Sequence, residues 1–168
     1  MENRILNGSE NPAWSEIYLR ALNLLTRRDH TRVELQRKLS ARGFSADAIT
    51  AVIEKLAREG YLNDRRFAER WAESSLQSGR GYGIRILQEL QQRGISREIA
   101  ADTIAAATAE YPAQDVLAAL VSRRFPVFDP ASSSRKEQQR VYSYLQRRGF
   151  SLQTIAGFFK TKSEEFER

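Results

Sequence analysis

Apolar side chains recur along this chain with the spacing of helices, and no stretch shows the period-two alternation of a strand. Ile49, Val52, Ile53 and Leu56 stand at i, i+3, i+4 and i+7, one buried stripe of an α-helix. Ile99, Thr103, Ile104 and Ala107 repeat the spacing with smaller side chains, and Ile155, Phe158 and Phe159 repeat it near the end. Each stripe follows a nearly identical heptapeptide: LSARGFS at 39–45, LQQRGIS at 90–96 and LQRRGFS at 145–151.

The heptapeptide reads as a helix stop followed by a helix start. Gly43, Gly94 and Gly149 suit the left-handed position just past a helix, and Phe44, Ile95 and Phe150 can fold back on the last turn. Ser45, Ser96 and Ser151 then cap the next helix; with no Glu or Gln three residues on, the cap is a simple one. Thr31 with Glu34 predicts a capping box for the helix carrying Leu35 and Leu39. Farther on, EGYLNDRRFAERW offers Gly60 as a stop, Asn63 as a cap and Leu62 as a staple onto Phe67. A worn copy follows at EYPAQDVLAAL, with Tyr111 and Pro112 in place of the glycine.

Helices are therefore expected over 14–28, 31–42 and 45–58, over 64–78, 84–93 and 96–108, and over 113–124, 135–148 and 151–162. The glycines lie 51 and 55 residues apart, and FPVFDPASSS lengthens the third unit. We expect an all-α fold: an elongated, curved array of three tandem three-helix repeats at 14–62, 63–111 and 112–162, the last with an internal linker at 125–134. Residues 1–13 and 163–168 are read as tails. Three short helices bury little alone, so neighbouring units are expected to share core.

Composition adds a partner class. Of 168 residues 41% are hydrophobic, enough for a core. No apolar run is long enough for a membrane span and no signal peptide is legible, so we expect a cytoplasmic protein; the absence of cysteine fits a reducing compartment. The net charge of +6 favours a polyanion or an acidic protein surface. Residues 15–42 hold seven bases against three acids, whereas 98–120 hold Glu98, Asp102, Glu110 and Asp115 without a base.

Catalytic chemistry finds little footing. His30 is the only histidine, which leaves no His triad and no multi-His metal site; it reads as a turn residue. GFFKTKS lacks the glycines of a phosphate loop. GRGYGIRIL begins like the RNA-reading strand of an RRM domain, then breaks the pattern at Ile84 and runs into a helix. It reads as a flexible connection exposing Arg80 and Tyr82, equally suited to a spacer or a contact loop. Trp14 and Trp71 read as core, and Asp64 as a helix-start charge or the partner of an arginine. The contact candidates are basic: Arg27, Arg28 and Arg32; Arg65, Arg66 and Arg70; Arg123 and Arg124; and one face formed by Lys136, Arg140, Ser143, Tyr144 and Arg147.

The ordered set Thr31-x-x-Glu-Leu-x-x-Lys-Leu, Arg-Gly-Phe at 42–44, Gly-Tyr-Leu-Asn-Asp at 60–64 with Phe67-Ala68, and Glu89-Leu-x-x-Arg-Gly-Ile resembles the RecX family of bacterial regulators of the RecA recombinase. The third unit, with its long linker and no trailing Gly-Tyr-x-x-Asp, departs most. The resemblance implies a modulator without catalytic residues or cofactor, and we expect a monomer. It implies binding to RecA filaments on single-stranded DNA, suppression of ATP hydrolysis and strand exchange in DNA repair and the SOS response, and direct binding of single- and double-stranded DNA. The rival reading is a stand-alone nucleic-acid-binding protein that uses a basic concave face.

Overall fold

The structure, a computed structural model, describes residues 12–166, with side chains as far as Lys160. Among the described residues it is all-α, with no strand: α1 Pro12–Leu25, α2 Arg32–Ser40, α3 Ala46–Arg58, α4 Asp64–Ser78, α5 Ile84–Gln92, α6 Arg97–Glu110, α7 Ala113–Arg124, α8 Arg135–Arg147 and α9 Leu152–Phe166. The helices group in threes, and the third of each group is the hub: α3 packs on α1 and α2, α6 on α4 and α5, α9 on α7 and α8.

Local chemistry sets the helix ends. Ser45, Ser96 and Ser151 accept from the N–H groups of Ala48, Ile99 and Thr154 at 3.4, 3.2 and 3.0 Å, three simple caps each worth about 1 kcal/mol. The box expected at Thr31 is only half made. Thr31 accepts from the Glu34 N–H, but the Glu34 carboxylate turns outward to Arg28 and Arg93. A full capping box instead opens α8, between Ser134 and Glu137. α1 ends at Leu25, short of the expected 28, because the chain tightens there: the Arg27 N–H donates to the Leu24 carbonyl. Arg27 and Arg28 thus lie in a turn.

The core comes in two parts. Trp14, Ile17, Leu35, Leu39, Ile49 and Leu56 form one with Leu62, all within the first repeat. The second and third repeats share the other, through Phe67, Leu76, Ile86, Leu90, Leu117, Leu145 and Ile155. Burying each such Leu or Ile contributes about 1.5–3 kcal/mol. Leu62 and Phe67 belong to different cores, so the expected staple is replaced: the N–H groups of Tyr61 and Leu62 both donate to the Leu56 carbonyl and fold Leu62 onto its own repeat.

The first core meets the rest through a polar joint, and here the repeated heptapeptide acquires a second role. The Thr31 hydroxyl donates to the Arg93 carbonyl at 2.6 Å, and Arg93 pairs with Glu34. Gly94 (φ +86°) lies so close to Val33 that an added Cβ would overlap that side chain. The next joint repeats this geometry. The Tyr82 N–H donates to the Arg148 carbonyl at 2.7 Å, and a Cβ on Gly149 (φ +94°) would strike the Tyr82 carbonyl and Arg85. In both cases the start of a repeat's second helix seats on the Arg-Gly of the following repeat. Gly43, in the first repeat, is seated against no other unit among the described residues: a Cβ there meets nothing within 4 Å.

GRGYG is accordingly part of a joint rather than a flexible spacer. Tyr82 is buried, stacks on Phe150 with ring centroids 4.9 Å apart, and donates its hydroxyl to the Tyr111 carbonyl at 3.0 Å. Tyr82 is therefore core and not the exposed contact expected of it. Asp64 is the helix-start charge expected, in the first turn of α4, and its Oδ1 also accepts the Arg32 N–H at 2.9 Å, satisfying the open end of α2 across the first joint. Trp14 is core as expected. Trp71 is only half-buried, with the Arg93 guanidinium 3.8 Å above its ring.

A basic cleft between the second and third repeats

Because the second joint brings the start of α5 against the end of α8, side chains about 65 residues apart in sequence face each other across a cleft of about 600 Å³. Arg80, Arg85 and Gln88 line it from the α5 side and Gln146, Arg147 and Arg148 from the α8 side; no carboxylate lines the cleft. Ile84 and Tyr144 supply its apolar surface. Arg148 is fixed by donating to the Arg80 carbonyl at 2.8 Å and lies over the Tyr144 ring at 4.9 Å. Arg85 is steadied by Glu89, one turn along α5, at 2.9 Å. Arg147 is exposed and has no ion-pair partner among the described residues.

Arg80 and Arg85 also line a second depression of about 420 Å³ that continues toward the first repeat. There Trp71 carries Arg93 on its face and Arg80 at 5.0 Å, while its Nε1–H donates to Glu89 at 3.1 Å. Arg37 extends this wall into α2. Glu34 and Glu89, its two acids, are both tied to arginines. Burial pushes the Glu34 carboxyl up, but the hydrogen bonds and charges of Arg28 and Arg93 outweigh it and hold the group below its usual range. One basic face thus draws side chains from all three repeats. Guanidinium groups pair bidentately with phosphates and carboxylates, so such a face suits a nucleic-acid backbone or an acidic protein surface.

The sequence candidates divide when placed on the fold. Arg80, Tyr144 and Arg147 meet in the cleft. Lys136 and Arg124 are exposed, and Arg140 lies over Phe125 at 6.0 Å, as Arg124 does at 5.8 Å. Tyr144 packs edge-on against Phe125, so only part of it is available. Others are engaged within the chain: Arg28 with Glu34, Arg32 with Glu54, Arg65 with Asp102 and Arg70 with Asp29. Arg66 donates to the Gly60 carbonyl, and Arg123 to the Ser78 carbonyl at the end of α4. Arg27 lines a separate small depression with Arg20 and Arg42. Arg85, Arg93 and Arg148 were not among the candidates. Two of them stand in the repeated Arg-Gly itself, which is the signal that marks them.

His30 lies between α1 and α2 as expected, but buried, with its Nδ1 3.0 Å from the Arg28 carbonyl; desolvation lowers its pKa. Among the described residues no group of three or more His, Asp or Glu side chains is arranged to hold a metal ion, and no helix is long and apolar enough to cross a membrane.

Comparison with known proteins matches the chain in three consecutive stretches. Residues 18–56 match the family model for RecX, first three-helix domain, residues 63–104 the second three-helix domain, and residues 112–159 the third. The regulatory protein RecX of Trichlorobacter lovleyi is 38% identical over 155 residues, 92% of this chain and 99% of that protein. That of Halorhodospira halophila is 39% identical over 148 residues, 88% of this chain and 89% of its own length. Among solved structures, the crystal structure of RecX from Lactobacillus salivarius superposes with a TM-score of 0.73 at 26% identity, over 90% of this chain and 97% of that one.

Proposed function

Because this chain belongs to the RecX family, whose members are regulatory proteins and not enzymes, we propose that it binds RecA filaments on single-stranded DNA. There it inhibits ATP hydrolysis and strand exchange, within DNA repair and the SOS response. The observation that carries the reading is the basic face that runs from Arg37 past Arg93, Arg80 and Arg85 to Arg147 and Arg148, contributed by all three repeats. A filament offers a matching target, a regular track of phosphates with protein on either side. Repeats joined through seated glycines form a stiff strap, and a strap fixed at several points along the track opposes the relative motion that turnover and exchange require. The protein acts as a monomer in the cytoplasm.

The test is titration into a RecA ATPase assay on single-stranded DNA, with binding to the bare DNA measured at the same salt. We expect inhibition at concentrations that leave bare DNA unbound. No effect there sinks the reading. Inhibition that follows occupancy of bare DNA, with a steep salt dependence, assigns the protein to stand-alone DNA binding instead. The lack of any carboxylate in the 600 Å³ cleft keeps that second reading in view.

A further inference from the structure

On the other side of α4 from Trp71 lies a groove of opposite charge. Arg65, Glu69 and Glu73 stand one turn apart on α4, and Asp102, Thr103, Ala106 and Glu110 face them from α6 across about 300 Å³. Positions 69 and 73 each lie two residues from Trp71, about 200° round the helix, so the basic and acidic grooves occupy opposite faces of α4. The one cation in the lining, Arg65, is bound to Asp102 at 3.3 Å, whereas the Glu69 and Glu110 carboxylates have no ion-pair or hydrogen-bond partner among the described residues. Past Glu110 and Tyr111 the groove opens into a slot of about 400 Å³ with Leu76, Val116 and Leu120 in its lining.

A second observation is independent of the charge. Thr103 is 5% exposed, and its hydroxyl has no hydrogen-bond partner. A helical threonine ordinarily donates to the carbonyl four residues back. Thr108 on the same helix does so, to Ile104 at 2.8 Å, and Thr50 does so to Ala46 at 2.9 Å. A buried hydroxyl left unpaired in the groove lining can take a partner from outside the chain once the side chain turns.

Nucleic acid is repelled by four carboxylates against one paired arginine. We propose that this groove takes a basic segment of a partner protein: Arg or Lys side chains sit between Glu69, Glu73 and Glu110, and a neighbouring apolar side chain enters the slot against Leu76 and Leu120. An incoming cation donates to the carboxylates and, once Thr103 turns, to its hydroxyl. The protein is thereby two-faced, phosphate or acid on the α5/α8 side and a basic protein segment on the α4/α6 side. The assignment does not depend on what the basic cleft binds.

The probe is a fluorescein-labelled helical peptide with two arginines one turn apart followed by leucine, tested by anisotropy against the full chain at low salt. A Gln-for-Arg peptide serves as control. We expect the arginine peptide to bind at least tenfold more tightly than the control. A Glu69→Gln/Glu110→Gln variant, whose two sites are exposed, should lose that preference while keeping its thermal melt and its affinity for a DNA oligonucleotide. Thr103→Val should weaken the same peptide. Equal affinity of the two peptides for the wild-type chain, or an unchanged preference in the Gln variant, overturns the proposal. Self-association of the wild-type chain in sedimentation, abolished in the Gln variant, also overturns it by assigning the groove to a second copy.

Discussion

Substituting alanine for the glycine of each heptapeptide separates the two roles that the repeated spelling plays. At Gly43 a Cβ meets open space, so Gly43→Ala carries only the cost of a side chain at φ +85°, about 1 kcal/mol. At Gly149 the backbone carries the same cost, and the new Cβ also strikes the Tyr82 carbonyl and the Arg85 main chain, neither of which can swing aside as a flexible side chain would. Relief requires the third repeat to move off the second. That breaks the bond from the Tyr82 N–H to the Arg148 carbonyl, worth about 1 kcal/mol net, and the Tyr82–Phe150 stack, worth about another. Gly149→Ala should therefore cost on the order of 3 kcal/mol against about 1 for Gly43→Ala. For a chain of this size each kcal/mol lowers Tm by about 2–4 °C, so melts followed by far-UV circular dichroism resolve the two. Gly94→Ala should resemble Gly149→Ala in size but act at the first joint, altering the fluorescence of Trp71. Equal losses at Gly43 and Gly149, within about 0.5 kcal/mol, would refute the joint and leave the heptapeptide as a helix stop alone.

Three further outcomes follow from the same geometry. Tyr82→Phe should cost about 1 kcal/mol through the lost bond to the Tyr111 carbonyl and leave DNA affinity unchanged; weakened DNA binding with an unchanged melt would return Tyr82 to the contact surface. Arg147→Ala, at an exposed position on the cleft wall, should weaken DNA binding without affecting the melt and reduce the slope of log affinity against log salt by about 1; an unchanged slope removes Arg147 from the contact. Glu34 is held below its ordinary value of 4.5, so its contribution to the first joint is complete above that pH and is lost as the pH falls through the lower folded-state pKa. Acid should loosen the first joint, read as a change in Trp71 emission in a Trp14→Phe background, and Glu34→Gln should flatten that limb; an unaltered acid limb would rule out the Glu34–Arg93 link as its cause.

Much of the architecture is legible without coordinates because its causes are local. Helical periodicity, glycines past helix ends and serines before the next are decided within a few residues of chain, and that is why the three caps at Ser45, Ser96 and Ser151 fall where the spelling puts them. Charge segregation is legible as well, down to the acidic run that includes Asp102 and Glu110. What the tertiary structure alone decides is which side chains meet. Glu34 leaves its own helix end because Arg93, 59 residues away, offers a stronger partner than a backbone N–H. Tyr82 looks like an exposed loop aromatic until Phe150 and the Arg148 carbonyl close over it. Of the many arginines a periodic pattern flags, several pair with acids on neighbouring helices, while Arg85 and Arg148 become walls of one cleft through the docking of distant repeats. Helix formation depends on neighbours in the chain, and the basic cleft depends on neighbours in space.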